Sequence, residues 1–365
     1  MAASFDVAIA GAGIIGAACA MECAEAGLSV VNVEPGVIGG GATAAGMGHI
    51  VVMDDSPAQI ALTHYSRCLW KERAADLPPE VEYVEAGTIW VAAGEDEMAE
   101  VRRKQRVYNE IGVRAEMLDA QALREAEPSL RPGLAGGLLA PEDAVIYPPC
   151  AALHFMDLAR RRGAVLRPGQ AASLDGAGIR MGDGSLISAG IVVDATGAWA
   201  TAVRKRKGHL AITDRYPGFI RHQLVELGYL KSAHSSTEDS VAFNVQPRRT
   251  GQVLIGSSRQ FGVDDSAVDS RILSRMLARA TEYMPALAGL LTIRCWTGFR
   301  AATADHLPLI GPSAGDPRVF SATGHEGLGI TTSLATARLI VDQILGRPSE
   351  IPIEPYLPSR FEAKA

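Results

Sequence analysis

The chain has 365 residues, 47% of them hydrophobic and 21% charged, and carries a formal net charge of −6 at pH 7. This composition is ordinary for a soluble protein, and the length allows two domains. The acidic balance argues against a nucleic-acid partner, and no uninterrupted apolar segment is long enough to span a membrane. Five cysteines without a C-x-x-C pair indicate a reducing compartment and no structural metal. With no signal peptide evident at the start, we expect a cytoplasmic protein.

The first 34 residues have the pattern of a dinucleotide-binding βαβ unit. An apolar run ending at Ala10 is followed by G-x-G-x-x-G over residues 11–16, an Ala-rich segment, and a second apolar run ending in Glu34. The glycines permit a tight turn, close approach of a pyrophosphate and close helix packing, and the helix N-terminus attracts the anion. A carboxylate at Glu34 can accept hydrogen bonds from ribose hydroxyls, which favours FAD or NAD over NADP.

The next segments predict mainly helices, followed by strands. The Gly-rich residues 39–49 lack charge, which is typical of backbone wrapped closely around a ligand. Helices are predicted over residues 56–77, 95–111, 119–127 and 150–162, and strands near residues 85–92 and 133–139.

The second half of the chain alternates between two kinds of pattern. A buried strand at residues 191–193 ends in Thr196-Gly197, where small residues allow a ligand to approach. Residues 208–300 predict an antiparallel sheet and one amphipathic helix at 269–284, and residues 319–345 return to a strand, a turn and an apolar helix.

Three short basic clusters, at residues 102–104, 160–162 and 204–207, are interpreted as solvated helix ends or loops. The alternative for the last cluster is a surface that faces a partner subunit.

Together these motifs resemble the FAD-dependent D-amino-acid oxidase superfamily. The resemblance covers nearly the whole chain and includes the G-F-R at residues 298–300, the segment 303–311 and G-H-E-G-L-G-I-T at 324–331. Within the superfamily, the Gly-rich loop followed by Met53-Asp54-Asp55 resembles the catalytic subunits of D-hydroxyproline and opine dehydrogenases.

The resemblance implies an α/β, two-domain fold. A Rossmann-like FAD-binding domain would be built from residues 1–82, 146–207 and 300–365, and an antiparallel-sheet substrate domain from residues 83–145 and 208–299. It also implies non-covalent FAD, because the C-terminal motif contains no cysteine for a covalent link.

The resemblance also assigns residues to the site, and no metal. Arg300 is expected to bind the substrate carboxylate, with His49 and His325 as further catalytic candidates that bind the carboxylate or accept a proton. The residues expected to contact the cofactor are Gly11, Gly13, Ile14, Ile15, Gly16, Glu34, Pro35, Gly41, Ala42, Thr43, Gly46, Met47, Gly48, Thr196, Gly197, Gly327, Leu328, Gly329, Ile330 and Thr331.

The implied reaction is hydride transfer from the Cα of an amino acid to flavin N5. The substrate would be a D-amino acid or secondary amino acid, such as D-hydroxyproline or an opine, with electrons passed to partner subunits in a hetero-oligomer. Those partners could place the protein at the inner membrane. Two alternatives stay open: an oxygen-dependent oxidase of the glycine or sarcosine oxidase type, and a flavin-binding subunit for electron relay or assembly. Oxidases of this group use a lysine near N5, and no such lysine can be placed in this sequence.

Overall fold

The computed structural model describes residues 4–228 and 239–361. The α-helices of this part of the chain are α1 (Ile14–Glu25), α2 (Gly41–Ala44), α3 (Pro57–Arg73), α4 (Glu95–Glu110), α5 (Ala120–Ala126), α6 (Pro148–Arg161), α7 (Ser270–Tyr283) and α8 (Gly329–Ile344). None of the helices in the described ranges is both long and apolar enough to cross a membrane.

The first large sheet contains the βαβ unit. Its strands are β1 (Phe5–Ala10), β2 (Val30–Glu34), β8 (Val165–Pro168), β9 (Ala171–Asp175), β10 (Gly178–Met181), β11 (Leu186–Asp194), β17 (Leu309–Pro312) and β18 (Val319–Thr323). They follow the order β17-β18-β11-β1-β2-β8, with the hairpin β9-β10 attached to β11. β1 pairs in parallel with both β2 and β11, as predicted for a dinucleotide-binding core.

The two faces of β1 explain its unbroken apolar run. Val7 and Ile9 belong to one hydrophobic cluster, with helices α1, α6 and α8, whereas Ala8 and Ala10 belong to another on the opposite face. A strand buried on both faces needs no polar alternation, so the prediction of a buried strand is confirmed.

The second large sheet follows the order β16-β12-β15-β14-β13-β4-β6-β5. Its strands are β4 (Thr88–Ala92), β5 (Glu116–Asp119), β6 (Gly136–Ala140), β12 (Arg204–Arg215), β13 (Gln223–Glu226), β14 (Ser240–Pro247), β15 (Gln252–Arg259) and β16 (Thr292–Ala302). The sheet is antiparallel except for the parallel pair β4 and β13. A small third sheet joins β3 (His49–Ile50) and β7 (Ala144–Val145).

The two sheets give the mixed α/β, two-part fold that the sequence predicts. The predicted boundaries at 207/208 and 299/300 fall inside β12 and β16, where Lys207 pairs with Phe299. The division into two domains at these residues stays a prediction.

The interpretation of the basic cluster at 204–207 is wrong, because these residues begin a strand. Arg206 and Lys207 are only 4% and 2% exposed. The guanidinium of Arg206 bonds to Glu326, and the ammonium of Lys207 lies 3.1 Å from Asp265. Paired carboxylates make it possible to bury these cations.

Lys104 likewise lies in the interior rather than in solvent. Its ammonium bonds to the buried carboxylate of Asp54 and lies 4.1 Å from the ring centroid of Trp90. Arg103 contacts the second oxygen of Asp54 at 2.5 Å. The buried pair therefore joins α4 to the segment that follows β3.

Asp54→Asn is expected to destabilise the protein by about 3–5 kcal/mol, because it leaves a buried ammonium without its direct partner. Urea unfolding of the holoprotein measures this. Glu100→Gln removes a more exposed carboxylate from the same Arg103, and its expected cost is below about 1 kcal/mol. Equal effects of the two variants would contradict this account.

Candidate active site

A single cavity of about 1140 Å³ brings the predicted site residues together. It is lined by both large sheets, the Gly-rich loop and the N-terminal ends of α1 and α8. Every residue predicted to bind the cofactor or to act in catalysis lines this cavity, except Gly16. Its volume exceeds the roughly 300–1000 Å³ of a typical ligand pocket.

The first end of the cavity is formed by the βαβ unit. The carboxylate of Glu34 accepts hydrogen bonds from the backbone N–H groups of Ala12, at 2.7 Å, and Gly36, at 2.8 Å. Helix α1 begins at the cavity wall with Gly13 as its N-cap, which supplies no capping side chain. Its positive end therefore faces the cavity and suits a phosphate.

Gly16 lies behind this wall rather than in it. A Cβ atom at this position would be 1.9 Å from the carbonyl oxygen of Gly11. Gly16 therefore allows the close packing of α1 on the preceding turn, and its assignment as a direct cofactor contact stays a prediction.

The opposite end of the cavity is formed by the start of α8. The hydroxyl of Thr331 donates to the carbonyl of His49 and that of Thr332 to the carbonyl of Leu328, both at 2.8 Å. The N-cap residue of this helix, Leu328, supplies no capping side chain. The first amides of α8 and their positive dipole end are therefore left for a ligand that carries negative charge.

Arg300 extends from β16 into the same cavity. Its Nη1 donates to the carbonyl of Ser258 at 2.9 Å. A Cβ atom on Gly208 would lie 2.3 Å from that Nη1, so the neighbouring strand leaves room for the guanidinium only because residue 208 is glycine.

The two candidate histidines are both held by threonine hydroxyls. Nε2 of His49 lies 2.7 Å from Oγ1 of Thr88, and Nε2 of His325 lies 2.9 Å from Oγ1 of Thr336. Burial lowers the pKa of each imidazole to about 3. At neutral pH both rings are uncharged, which leaves neither of them suited to pair with a carboxylate.

A charged cluster that sequence reasoning missed lies beside Arg300. Glu326 bonds to Arg206 and accepts from Nδ1 of His306 at 2.9 Å. Burial alone would raise the pKa of Glu326, but the hydrogen bond from His306 and the charge of Arg206 bring it below its usual value. Glu326 therefore stays ionised in the cavity wall.

The floor of the cavity on the second sheet was also missed. Trp90, Leu210, Val225 and Asn244 line it from four different strands. The Oδ1 atom of Asn244 accepts from Nε2 of Gln223 at 2.6 Å, which orients the amide. A single amide within the apolar run V-A-F-N-V is the signal that could have identified Asn244.

Within residues 4–228 and 239–361, no group of three or more His, Cys, Asp or Glu side chains is arranged to hold a metal ion.

A model of the family named DAO, FAD dependent oxidoreductase, matches residues 6–343. The chain belongs to this family.

Members of the family resemble the chain along most of its length. This chain is 27% identical to a glycine oxidase from Geobacillus kaustophilus, over 99% of this chain and 98% of that protein. The crystal structure of glycine oxidase from the same organism has a TM-score of 0.86 at 26% identity and covers 97% of this chain and 98% of that one. A D-amino acid dehydrogenase from Methylobacterium nodulans is 26% identical over 83% of this chain and 73% of its own length. The hydrogen cyanide synthase subunit HcnC from Pseudomonas aeruginosa is 23% identical over 98% of this chain and 97% of its own length.

FAD is the cofactor of this oxidoreductase, and the cavity fits it. Glu34 and the N-terminal end of α1 stand at one end, where the adenosine and pyrophosphate require a carboxylate and a positive helix end, and the start of α8 stands at the other. The Gly-rich loop lines the wall between them. The hydroxyl of Thr43 accepts a hydrogen bond from the first amide of α1, that of Ile14, at 3.0 Å.

Proposed function

We propose that this FAD-dependent oxidoreductase oxidises the Cα–N bond of an amino acid, as a dehydrogenase of D-amino or secondary amino acids such as D-hydroxyproline or an opine. The observation that carries the proposal is Arg300, whose guanidinium lines the cavity that contains the start of α8. When bound, FAD supplies the two-electron acceptor that takes the hydride from the substrate Cα.

The chain's own residues supply binding and orientation. Arg300 holds the substrate carboxylate through its planar fork, because the neutral imidazoles of His49 and His325 cannot provide the positive charge. The first amides of α8 point into the cavity and would stabilise negative charge on the reduced cofactor when it is bound there. His325, which is 7% exposed and bonded to Thr336, packs the helix in place.

An anaerobic screen tests this function. The purified flavoprotein is mixed with D-amino acids, D-hydroxyproline, sarcosine and opines, and flavin absorbance is followed. We expect at least one of these compounds to bleach the flavin. If none does, while dithionite does, the proposal is wrong.

Electron transfer to a partner subunit is supported by two observations. No lysine is found among the described residues that line the cavity, although the oxidases of this group use one near the reacting flavin atom. One relative, HcnC, is named as a subunit of a synthase. Faster turnover with an artificial dye than with oxygen is the expected result, and copurification with a second polypeptide would support a hetero-oligomer.

An oxygen-dependent amino-acid oxidase is the second candidate, favoured by relatives named glycine oxidase. Peroxide formation by the isolated chain at the rate of dye reduction would favour it over the dehydrogenase.

A further inference from the structure

A buried polar path leads from the cavity into the protein behind His49. Nε2 of His49 lies 2.7 Å from the hydroxyl of Thr88, the first residue of β4. His49 pairs with Val145 across β3 and β7, and the backbone N–H of Gly87 donates to the carbonyl oxygen of Asp143 at 2.9 Å. These two contacts bring Asp143 close to Thr88, whose hydroxyl lies near enough to lower the pKa of that carboxyl.

Asp143 is a buried carboxyl group that the fold leaves incompletely paired. It is 1% exposed, and within the described ranges neither of its oxygens accepts a hydrogen bond of ideal geometry, although the hydroxyl of Thr88 and the backbone N–H of Val52 lie close enough to lower its pKa. The nearest cation is Nη1 of Arg67, at 3.5 Å, and that atom also lacks a hydrogen bond there. Such groups carry a large desolvation cost, so they call for a functional explanation.

The surroundings of Asp143 allow it to change protonation state. Burial raises its pKa to about 7, although the charge of Arg67 opposes this rise. The charged and titratable groups that face it are Arg67 from α3, Lys104 and Tyr108 from α4, Tyr83 from the segment before β4, and the adjacent Glu142. A carboxyl with this pKa can gain and release a proton at neutral pH.

The proposed reaction needs a proton acceptor for the substrate nitrogen, and His49 lines the cavity with Thr88 directly behind it. An amino acid binds with its nitrogen protonated, and that nitrogen must lose a proton before its lone pair can assist hydride loss from Cα. His49 alone holds a proton poorly, because burial keeps its imidazole neutral.

We propose that Thr88 and Asp143 are positioning residues that relay a proton from the substrate ammonium group. The proton passes from the substrate to His49, then through Thr88 to the buried carboxylate of Asp143. This inference rests on the proposed oxidation of an amino acid. The substrate N–H bond breaks as an N–H bond forms at Nδ1 of His49. The proton on Nε2 of His49 moves to the oxygen of Thr88, and the hydroxyl proton of Thr88 moves to Asp143. The net change is one neutral amine and one neutral carboxylic acid, and the same path returns the proton to water between turnovers.

Single-turnover flavin reduction between about pH 5 and 9 tests the relay in the holoenzyme. In the wild type, the rate constant should rise with pH through about 7, because Asp143 must be ionised to accept the proton. In Asp143→Asn, the rise of the rate constant with pH should shift to the higher pKa of the substrate ammonium. The rate constant at pH 8 should fall on the order of 100-fold.

Two sets of variants distinguish a role of these residues in proton transfer from a purely structural role. Thr88→Val should reproduce the effect of Asp143→Asn, whereas Thr88→Ser keeps a hydroxyl and should restore the wild-type pH profile. Glu142→Gln removes the adjacent carboxyl, which also contacts Arg67, and should leave the profile unchanged. A loss of rate in Asp143→Asn that is equal at every pH would assign Asp143 a structural role only and overturn the proposal.

An infrared titration without substrate makes the test independent of the amino-acid reaction. The wild type should show a carboxylic-acid C=O band that disappears with a midpoint near pH 7, and Asp143→Asn should lack it. If this band is present but no amino acid reduces the flavin, the proposed function is wrong, while the change in protonation of Asp143 is confirmed. If the band is absent, the relay is overturned.

Discussion

Arg300→Ala is expected to lower kcat/KM for the amino-acid substrate by at least about 30-fold. Removing one partner of a desolvated, hydrogen-bonded charge pair costs about 2–5 kcal/mol, and each 1.36 kcal/mol is a factor of about ten in rate. Most of the effect should appear in KM, because the carboxylate contact exists in the ground state as well as in the transition state. Arg300→Lys keeps the charge but loses the planar fork, so an intermediate loss is expected.

Steady-state kinetics with a matched control variant checks this result. Arg294 lies on the same strand as Arg300, is exposed and does not line the cavity, so Arg294→Ala should leave kcat/KM unchanged. An amine that lacks the carboxylate should be oxidised equally by wild type and Arg300→Ala. Unchanged turnover in Arg300→Ala, together with loss of turnover when FAD binding is removed, would favour an electron-relay or assembly subunit.

Gly16→Ala is expected to yield protein without bound FAD. The added Cβ would meet the carbonyl oxygen of Gly11 at 1.9 Å, so α1 must move away from the turn that cradles the pyrophosphate. Gly11 has little room to move, because Ala195 packs against it so closely that a Cβ atom on Gly11 would lie 2.5 Å from the carbonyl oxygen of Ala195. Flavin absorbance per protein after gel filtration measures the loss.

Gly13→Ala separates the cofactor cradle from the packing of the helix. Among described atoms, only Oγ1 of Thr43 lies within 4 Å of the added Cβ, at 3.2 Å, so a small shift accommodates it. This variant should fold with near-normal thermal stability as apoprotein and bind FAD more weakly. Gly289→Ala, at a position with nothing within 4 Å, serves as the control. Full FAD content in both Gly13→Ala and Gly16→Ala would contradict the placement of the cofactor on this loop.

The cofactor half of the molecule could be predicted because its signals are local. The glycines of residues 11–16, the acid at Glu34 and the apolar run of β1 each follow from a requirement within one βαβ unit. The start of α8 and Arg300 were reached through the resemblance of their short motifs. In both cases the residues that act together are close in sequence.

The substrate half could not be predicted in the same way, because its residues come from separate strands. The register of β14, β13 and β4 decides that Asn244, Val225 and Trp90 face the cavity. A shift of one residue in that register would turn these side chains to the opposite face of the sheet. The pairing of Thr88 with His49 joins residues that lie 39 positions apart. Arg206 was misplaced because its buried partner, Glu326, lies 120 residues away along the chain.

A cavity that holds FAD and an amino acid together should let the amino acid reduce the cofactor. Anaerobic titration of the purified flavoprotein with the most active compound of the screen tests it most directly. One equivalent of amino acid should bleach the flavin completely, with the oxidised product recovered in equal amount, and should bleach the flavin of Arg300→Ala only slightly at the same concentration. Flavin that stays oxidised with every amino acid, but is reduced by dithionite, would contradict it.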